Sequence, residues 1–292
     1  MNARDVYGAS PVKRMRRTKA ELADLDDAIF AAAKEEHPVT LRGIFYRVVS
    51  MGAIDKTEKA YEAVGRRLLA LRRSGQIPYR WITDGTRLRW KPETWGSVDA
   101  LLDNAASSYR RALWDNQDAE IIFISEKDAI SGVVHPITDK WDVELSVTRG
   151  YTSETFVESI SQTVIDNDAD GKTTFIYQLG DHDPSGVDAW RDFTKKMNTF
   201  TQGASVKFER IAVTPAQIVE YNLSTRPTKK TDTRAANFVG DSVEVDAIPP
   251  SVLRRLVEDA ILRHLDEHQY LVMKMAEESE RSILLRMRGM IS

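Results

Sequence analysis

Residues 170–186 read DGKTTFIYQLGDHDPSG: an apolar, β-prone run that ends in Asp181 and Asp183, followed by a helical stretch through Trp190 and Phe193. The same alternation surrounds it. EIIFISEKDAI (120–130) reads as an earlier strand ending in Glu126. VELSVTRGY (143–151) is a second, with a helical stretch from Ser153 to about Val164 behind it, and VKFERIAV (206–213) is a fourth. Strands alternating with helices predict a parallel sheet covered on both faces, hence a mixed α/β chain. Residues 216–242, rich in Thr, Lys and Pro, read as a long exposed loop, and the tail from Ser251 onward as helical and charged.

The N-terminal part follows another pattern. Thr18 and Glu21 form a capping box ahead of Leu22, Leu25 and Ile29, and this helix stops before Pro38. Thr40 can cap a second helix whose apolar residues are Leu41, Ile44, Phe45, Val48 and Val49, the spacing of one helix face. A third helix runs from about Thr57 to Arg73 and ends at Gly75. PYRWITDGTRLRW (78–90) is then a hairpin about Asp84-Gly85. Three helices and a hairpin in this order describe a winged helix-turn-helix over residues 1–95. Residues 96–118 read as a connecting helix and 119–292 as the sheet domain with a C-terminal extension.

The chain has 292 residues and no cysteine, which excludes a disulfide scaffold, thiolate zinc and a cysteine nucleophile and suits a reducing cytosol. No apolar run approaches the roughly 20 residues that span a bilayer, and no apolar stretch follows the basic N-terminal residues as in a secretory signal. Its net charge of −3 hides an asymmetry. Residues 1–90 carry 18 Lys and Arg against 11 Asp and Glu, whereas the remainder is acidic. A basic end points to a polyanion. Arg66, Arg67, Arg72 and Arg73 on the third helix, with Arg80, Arg87 and Arg89 on the hairpin, are placed to hold a groove of double-stranded DNA and its phosphates. The alternative is a basic face that meets only solvent.

In an open α/β sheet the functional groups gather at the carboxyl ends of the strands. Glu126, Asp181 and Asp183 would meet there, and oxygen ligands of this kind suit Mg²⁺, with Mn²⁺ as a substitute. Lys127 and Asp128 read as helix N-terminal charges, and His182, alternating between two aspartates, as structural. Tyr46 lies about 130° from the apolar stripe of its helix at roughly 100° per residue. Flanked by Arg42 and Arg47, it is placed to meet a phosphate, with arginine favouring the phenolate. The other reading is an interfacial tyrosine that buries its ring.

TLRGIFYR (Thr40–Arg47) resembles the T-x-R-x-[IV]-[YF]-Y-[RM] motif of the DNA topoisomerase VI A subunit and its meiotic double-strand-break relative. ISEKD (Ile124–Asp128) resembles the family's V-x-E-K-[DE], and TRGY (Thr148–Tyr151) its G-K-G-[YF]-P, with Thr152 where the proline would stand. DHDPSG (Asp181–Gly186) is similar to D-x-D-P-x-G, and VEVDAIP (Val243–Pro249) to E-[LV]-D-A-[LI]-P. The five segments fall in the family's order, and the chain is closest in size to its compact Mini-A members. The resemblance implies a 5Y-CAP-type winged helix on a Toprim domain, and a type IIB topoisomerase chemistry. Tyr46 would attack duplex DNA to give a 5′-phosphotyrosyl break, with Arg42 and Arg47 beside the phosphate and Mg²⁺ on Glu126, Asp181 and Asp183. It also implies a homodimer, an ATPase B-type subunit as a possible partner, and a cytoplasmic, nucleoid-associated setting. Two further expectations stand beside it: a hydrolytic Toprim nuclease, and a DNA-binding adaptor that cuts only with a partner or never.

Overall fold

The computed structural model describes residues 18–83, 91–228, 238 and 240–291. β1 (Ala119–Ser125) is the strand about which the sheet is built. Ile121 and Phe123 join one apolar cluster, Ile122 and Ile124 another. Side chains alternate along a strand, so β1 needs an apolar layer on each face, as central parallel strands do. It pairs in parallel with β2 (Glu144–Val147) and with β3 (Thr173–Leu179), and β3 pairs in parallel with β4 (Val206–Ala212). The order is β2-β1-β3-β4. One face is covered by α5 (Asp128–Lys140) and α9 (Pro250–Leu262), the other by α6 (Glu154–Ala169) and α7 (Pro184–Phe200). Because Ser125 stands beside Leu179 in register, the segments after β1 and β3 leave the sheet side by side.

The N-terminal module is α1 (Lys19–Glu36), α2 (Leu41–Ser50) and α3 (Glu58–Arg73) about a core that includes Leu25, Ile29, Ile44, Val48, Val64 and Leu68. Its punctuation follows the sequence. Thr18 and Glu21 form the capping box, Thr40 and Thr57 cap α2 and α3, and Gly75 takes a φ of +79° just beyond α3.

Three expectations are corrected. The first hairpin arm is a short 3-10 turn over Tyr79–Trp81, closed by Trp81 N–H donating to the Pro78 carbonyl. The Trp81 ring stacks on His37 at 4.6 Å, and Ile82 makes an isolated parallel bridge to Val39. The rest of that hairpin, with Arg87 and Arg89, lies outside the described residues. The connecting helix is α4 (Val98–Ser108), not 96–118. The Ser107 and Ser108 hydroxyls both donate to the Asn104 carbonyl, and the chain then turns to bury Leu113 and Trp114 in the sheet core. The long loop begins as α8 (Pro215–Glu220), and Arg226 and Ser242 exchange two backbone hydrogen bonds of 2.9 Å that close its ends. The tail after α9 is α10 (Glu267–Ile291), which packs on α4. Among the described residues, no helix is long and apolar enough to cross a membrane.

The two modules are joined by polar groups as well as by packing. Glu36, at the end of α1, is 2% exposed and accepts from the Ser251 backbone N–H at 2.9 Å and its hydroxyl at 3.3 Å. Arg254 donates to the carbonyls of Glu36 and Pro38, both at 3.2 Å. Removing one partner of such a contact strands the other in a dry place. Glu36→Ala is therefore expected to cost roughly 1–3 kcal/mol in urea unfolding, and Glu36→Gln, which keeps an acceptor, less. Equal stability of both variants and wild type would show that the joint is not held there.

Candidate active site at the carboxyl edge of the sheet

The β1–β3 ladder runs one residue past the strands, where Glu126 N–H donates to the Leu179 carbonyl at 3.0 Å. This sets the Glu126 side chain beside Gly180 and Asp181, and its Oε2 accepts from the Asp181 N–H at 2.9 Å. The fit requires glycine twice. A Cβ on Gly180 would lie 2.9 Å from Glu126 Oε2, and one on Gly186 would lie 2.5 Å from the Asp181 carbonyl oxygen. Burial, then the charge of Asp181, push the Glu126 carboxyl above its ordinary value.

Lys127 is the centre of the edge. Its ammonium stands 2.8 Å from Asp181 Oδ1, 2.9 Å from Asp246 Oδ2 and 3.4 Å from Glu244 Oε2. Burial alone would favour the neutral amine, but the charges of Asp246, Asp181 and Glu244 outweigh it and raise the ammonium's pKa. Asp181 shares that one cation with two other carboxylates, and its own burial shifts it upward. Asp181 Oδ1 also accepts from the Val245 N–H at 2.9 Å. Glu244 is the opposite case. Burial would raise it, but Lys127, Arg42 and Arg226 together hold it below the usual carboxylate range.

Glu244 ties the N-terminal module to this cluster through its ion pair with Arg42 on α2. Arg226 reaches Glu244 Oε1 at 3.2 Å and Asp183 Oδ2 at 3.6 Å. Asp183 spends its other oxygen on the Gly186 N–H at 2.8 Å, capping α7. Beneath them Arg210 on β4 donates to the carbonyls of Gly180 and Asp181, and burial lowers its pKa. His182 is structural in placement: its backbone pairs with Val243, and its ring lies 4.9 Å from that of Phe238.

The three expected metal ligands thus share one edge without converging. Glu126 is turned onto the Asp181 backbone, Asp181 onto Lys127 and Asp183 onto a helix end. Among the described residues, no group of three or more His, Asp or Glu side chains is arranged to hold a metal ion. As placed here the set does not fit a divalent cation, because the ammonium of Lys127 stands against Asp181.

Tyr46 is 9% exposed, so it is not an outward tyrosine beside two free arginines. Helix periodicity finds only one buried face of α2. The second face appears when the segment Asp246–Pro250 and the loop Tyr221–Ser224 close over it, leaving a cavity of about 180 Å³ lined by Tyr46, Arg47 and Asp246. Lys56 covers the ring at 5.1 Å and donates to the Ser224 carbonyl at 3.0 Å. Arg47 is paired with Glu35 at 2.9 Å. Burial first, then the charge of Glu244, raise the Tyr46 phenol to about 12 against the opposing effect of Arg42. Arg42 favours the phenolate as expected, but in this structure burial and Glu244 outweigh it.

The arginines expected on DNA divide. Arg66, paired with Glu62 at 3.5 Å, and Arg73 are exposed and lie seven residues apart, on one side of α3. Arg80 is exposed in the 3-10 turn. Arg72 stacks over Tyr79 at 4.4 Å. Arg67 turns inward to a two-pronged pair with Asp26, one contact at 2.6 Å, which holds α1 to α3.

A second cavity, of about 530 Å³, opens between the modules. It is lined by Thr40 and Arg42, by Glu126, Lys127 and Asp128, by Arg149 and Gly150, and by Asp246. Arg149, at a φ of +53°, holds Asp128 by two hydrogen bonds of 2.8 and 3.0 Å. With Asp181 on Lys127, residues from five separated sequence segments meet here. No family model, no curated protein and no solved structure matches the chain.

Sequence reasoning passed over Lys56, Arg210, Arg226, Glu244 and Asp246 as site residues and read Lys127 as a helix-end charge. Glu244 and Asp246 lie in the Val243–Pro249 segment, but a 3-10 turn over Val245–Ala247 brings both to Lys127, and alternation along a strand does not reveal that. Lys56 and Arg226 sit in connecting segments with no such pattern.

Spectrophotometric titration checks the tyrosine. The difference between wild type and Tyr46→Phe is expected to show one phenol ionising near pH 12. Its folded pKa lies above that of the unfolded chain. The stability this contributes is complete below pH about 10 and is lost as pH rises through the folded value. A phenol ionising at or below 10 would contradict the burial argument.

Proposed function

We propose that the chain is a DNA-cleaving protein similar to the topoisomerase VI A family: a winged helix-turn-helix on a Toprim-type domain that breaks duplex DNA through Tyr46. One observation carries the reading. The five segments that resemble the family's motifs are far apart in sequence, yet residues from all of them meet at the carboxyl edge of one parallel sheet. A structural role for each segment separately gives no reason for that convergence.

In this reading the duplex lies along the N-terminal module, with Arg66, Arg73 and Arg80 on its phosphates, so binding falls steeply with salt. Tyr46 attacks a backbone phosphorus, a bond forms between its oxygen and the 5′ side of the break, and the 3′ oxygen leaves. Religation reverses these steps without a cofactor because the phosphodiester energy is kept in the tyrosyl link. Arg42 faces the cavity and can exchange Glu244 for a DNA phosphate, which arginine also binds in a bidentate pair. Tyr46 must be uncovered first, which requires movement of Lys56 and of the segment over α2. Two chains, each bringing one tyrosine, would cut both strands. An ATPase B-type subunit would have to supply any ATP-driven strand passage. Glu126, Asp181 and Asp183 are the carboxylates that would take Mg²⁺ or Mn²⁺, but their present arrangement does not fit the ion.

The test is a plasmid assay with Mg²⁺ or EDTA, stopped with SDS and run with and without proteinase K. Wild type is expected to give breaks that enter the gel only after proteolysis, and Tyr46→Phe none. Equal cutting by Tyr46→Phe with no protein attached would replace this reading by a hydrolytic nuclease. No cutting by either protein, with DNA still bound, would leave the adaptor.

A further inference from the structure

The two cavities share a single side chain among their described linings, that of Asp246. It forms the wall between Tyr46 on one side and Arg42, Glu126 and Lys127 on the other. The Asp246 side chain is 1% exposed, and its two oxygens differ. Oδ2 is paired with the Lys127 ammonium at 2.9 Å, whereas Oδ1 is buried with no hydrogen-bond partner. An unpartnered buried carboxylate oxygen is costly, and such groups are kept where they have a use.

Resting on the DNA-cleavage reading above, we propose that Asp246 is the proton acceptor for Tyr46, taking the phenolic proton on Oδ1 directly or through one water. The need for an acceptor follows from the surroundings of the phenol. Glu244 and Asp246 face it from the C-terminal segment, Arg42 from its own helix, Lys127 from the end of β1 and Lys56 from the α2–α3 connection. Burial and the two carboxylates keep the phenol protonated far above neutral pH, against the opposing charges of Arg42 and Lys127. Glu244 also bears on the phenol, but it is bound by Arg42, Lys127 and Arg226. Asp246 offers the unclaimed oxygen. In the step, the Tyr46 O–H bond breaks and its proton passes to Oδ1. The phenolic oxygen bonds to phosphorus, the bond from phosphorus to the 3′ oxygen breaks, and that oxygen takes a proton from solvent water. Asp246 then releases its proton to solvent.

Formation of the tyrosyl–DNA link would be followed in single turnover from pH 6 to 9.5 for wild type, Asp246→Asn and Asp246→Glu, with DNA affinity measured by anisotropy. Asp246→Asn is expected to lose about 100- to 10,000-fold in rate at pH 7, to gain rate with pH across the whole range, and to bind DNA as wild type does. Asp246→Glu, which keeps a carboxylate and serves should the asparagine variant not fold, is expected to retain part of the rate and the wild-type pH profile. A fluorotyrosine at position 46, a more acidic phenol, is expected to restore rate to Asp246→Asn and to add little to wild type. A wild-type rate in Asp246→Asn overturns the inference. So does an equal loss at every pH that fluorotyrosine does not restore. Absence of a tyrosyl link in wild type itself overturns the reading beneath it.

Discussion

One ammonium among three carboxylates organises this molecule. Lys127 leaves the end of β1 into a space bounded by Asp181 from the next strand and by Glu244 and Asp246 from a segment more than a hundred residues later. Burying two or more acids together is unfavourable unless a cation is held between them. The sheet supplies that cation from its central strand, and the C-terminal segment is fixed to the sheet edge as a result. Through Glu244 the same cluster reaches Arg42, so the tyrosine-bearing helix is docked by the charge that balances the sheet.

This arrangement gives Tyr46 its contradictory surroundings. It lies next to a strongly polar edge yet is closed over by Lys56 and the turn before α9. Under the proposed function, a tyrosine kept protonated and covered would do no chemistry until DNA is bound. Opening requires breaking the contacts of Lys56 and of the segment over α2, and under the proposal DNA phosphates would compete for Arg42. The dependence of activity on DNA would then arise from shared partners and needs no separate regulatory part.

Most of the scaffold was legible in the sequence because its signals are local. Thr18, Thr40 and Thr57 cap helices by bonding within four residues, and the alternation in Ile121–Ile124 records two covered faces. The site was legible only in outline. Glu126, Asp181 and Asp183 were expected at one edge and stand there, but the direction of each carboxylate is decided by backbone N–H groups and by a lysine, which spacing does not encode. The burial of Tyr46, one of the two readings its position left open, could not be chosen from spacing for a related reason. A ten-residue helix shows its apolar stripe to its own module, while its second buried face is created by residues 221–224 and 246–250. Arg67 illustrates the limit for charge: the same arginine that reads as a DNA contact is committed to Asp26 on a neighbouring helix.

If Lys127 holds the edge together, its loss must show in equilibrium unfolding. Lys127→Met, which keeps the stem and removes the charge, is predicted to lose about 3–5 kcal/mol, as when one member of a buried ionic cluster is removed. Adding Asp181→Asn and Asp246→Asn to it is predicted to regain most of that loss, since no unpaired acids then remain beside Lys127's place. A Lys127→Met protein as stable as wild type, or a triple variant no better than the single one, would show that the edge does not depend on this cation.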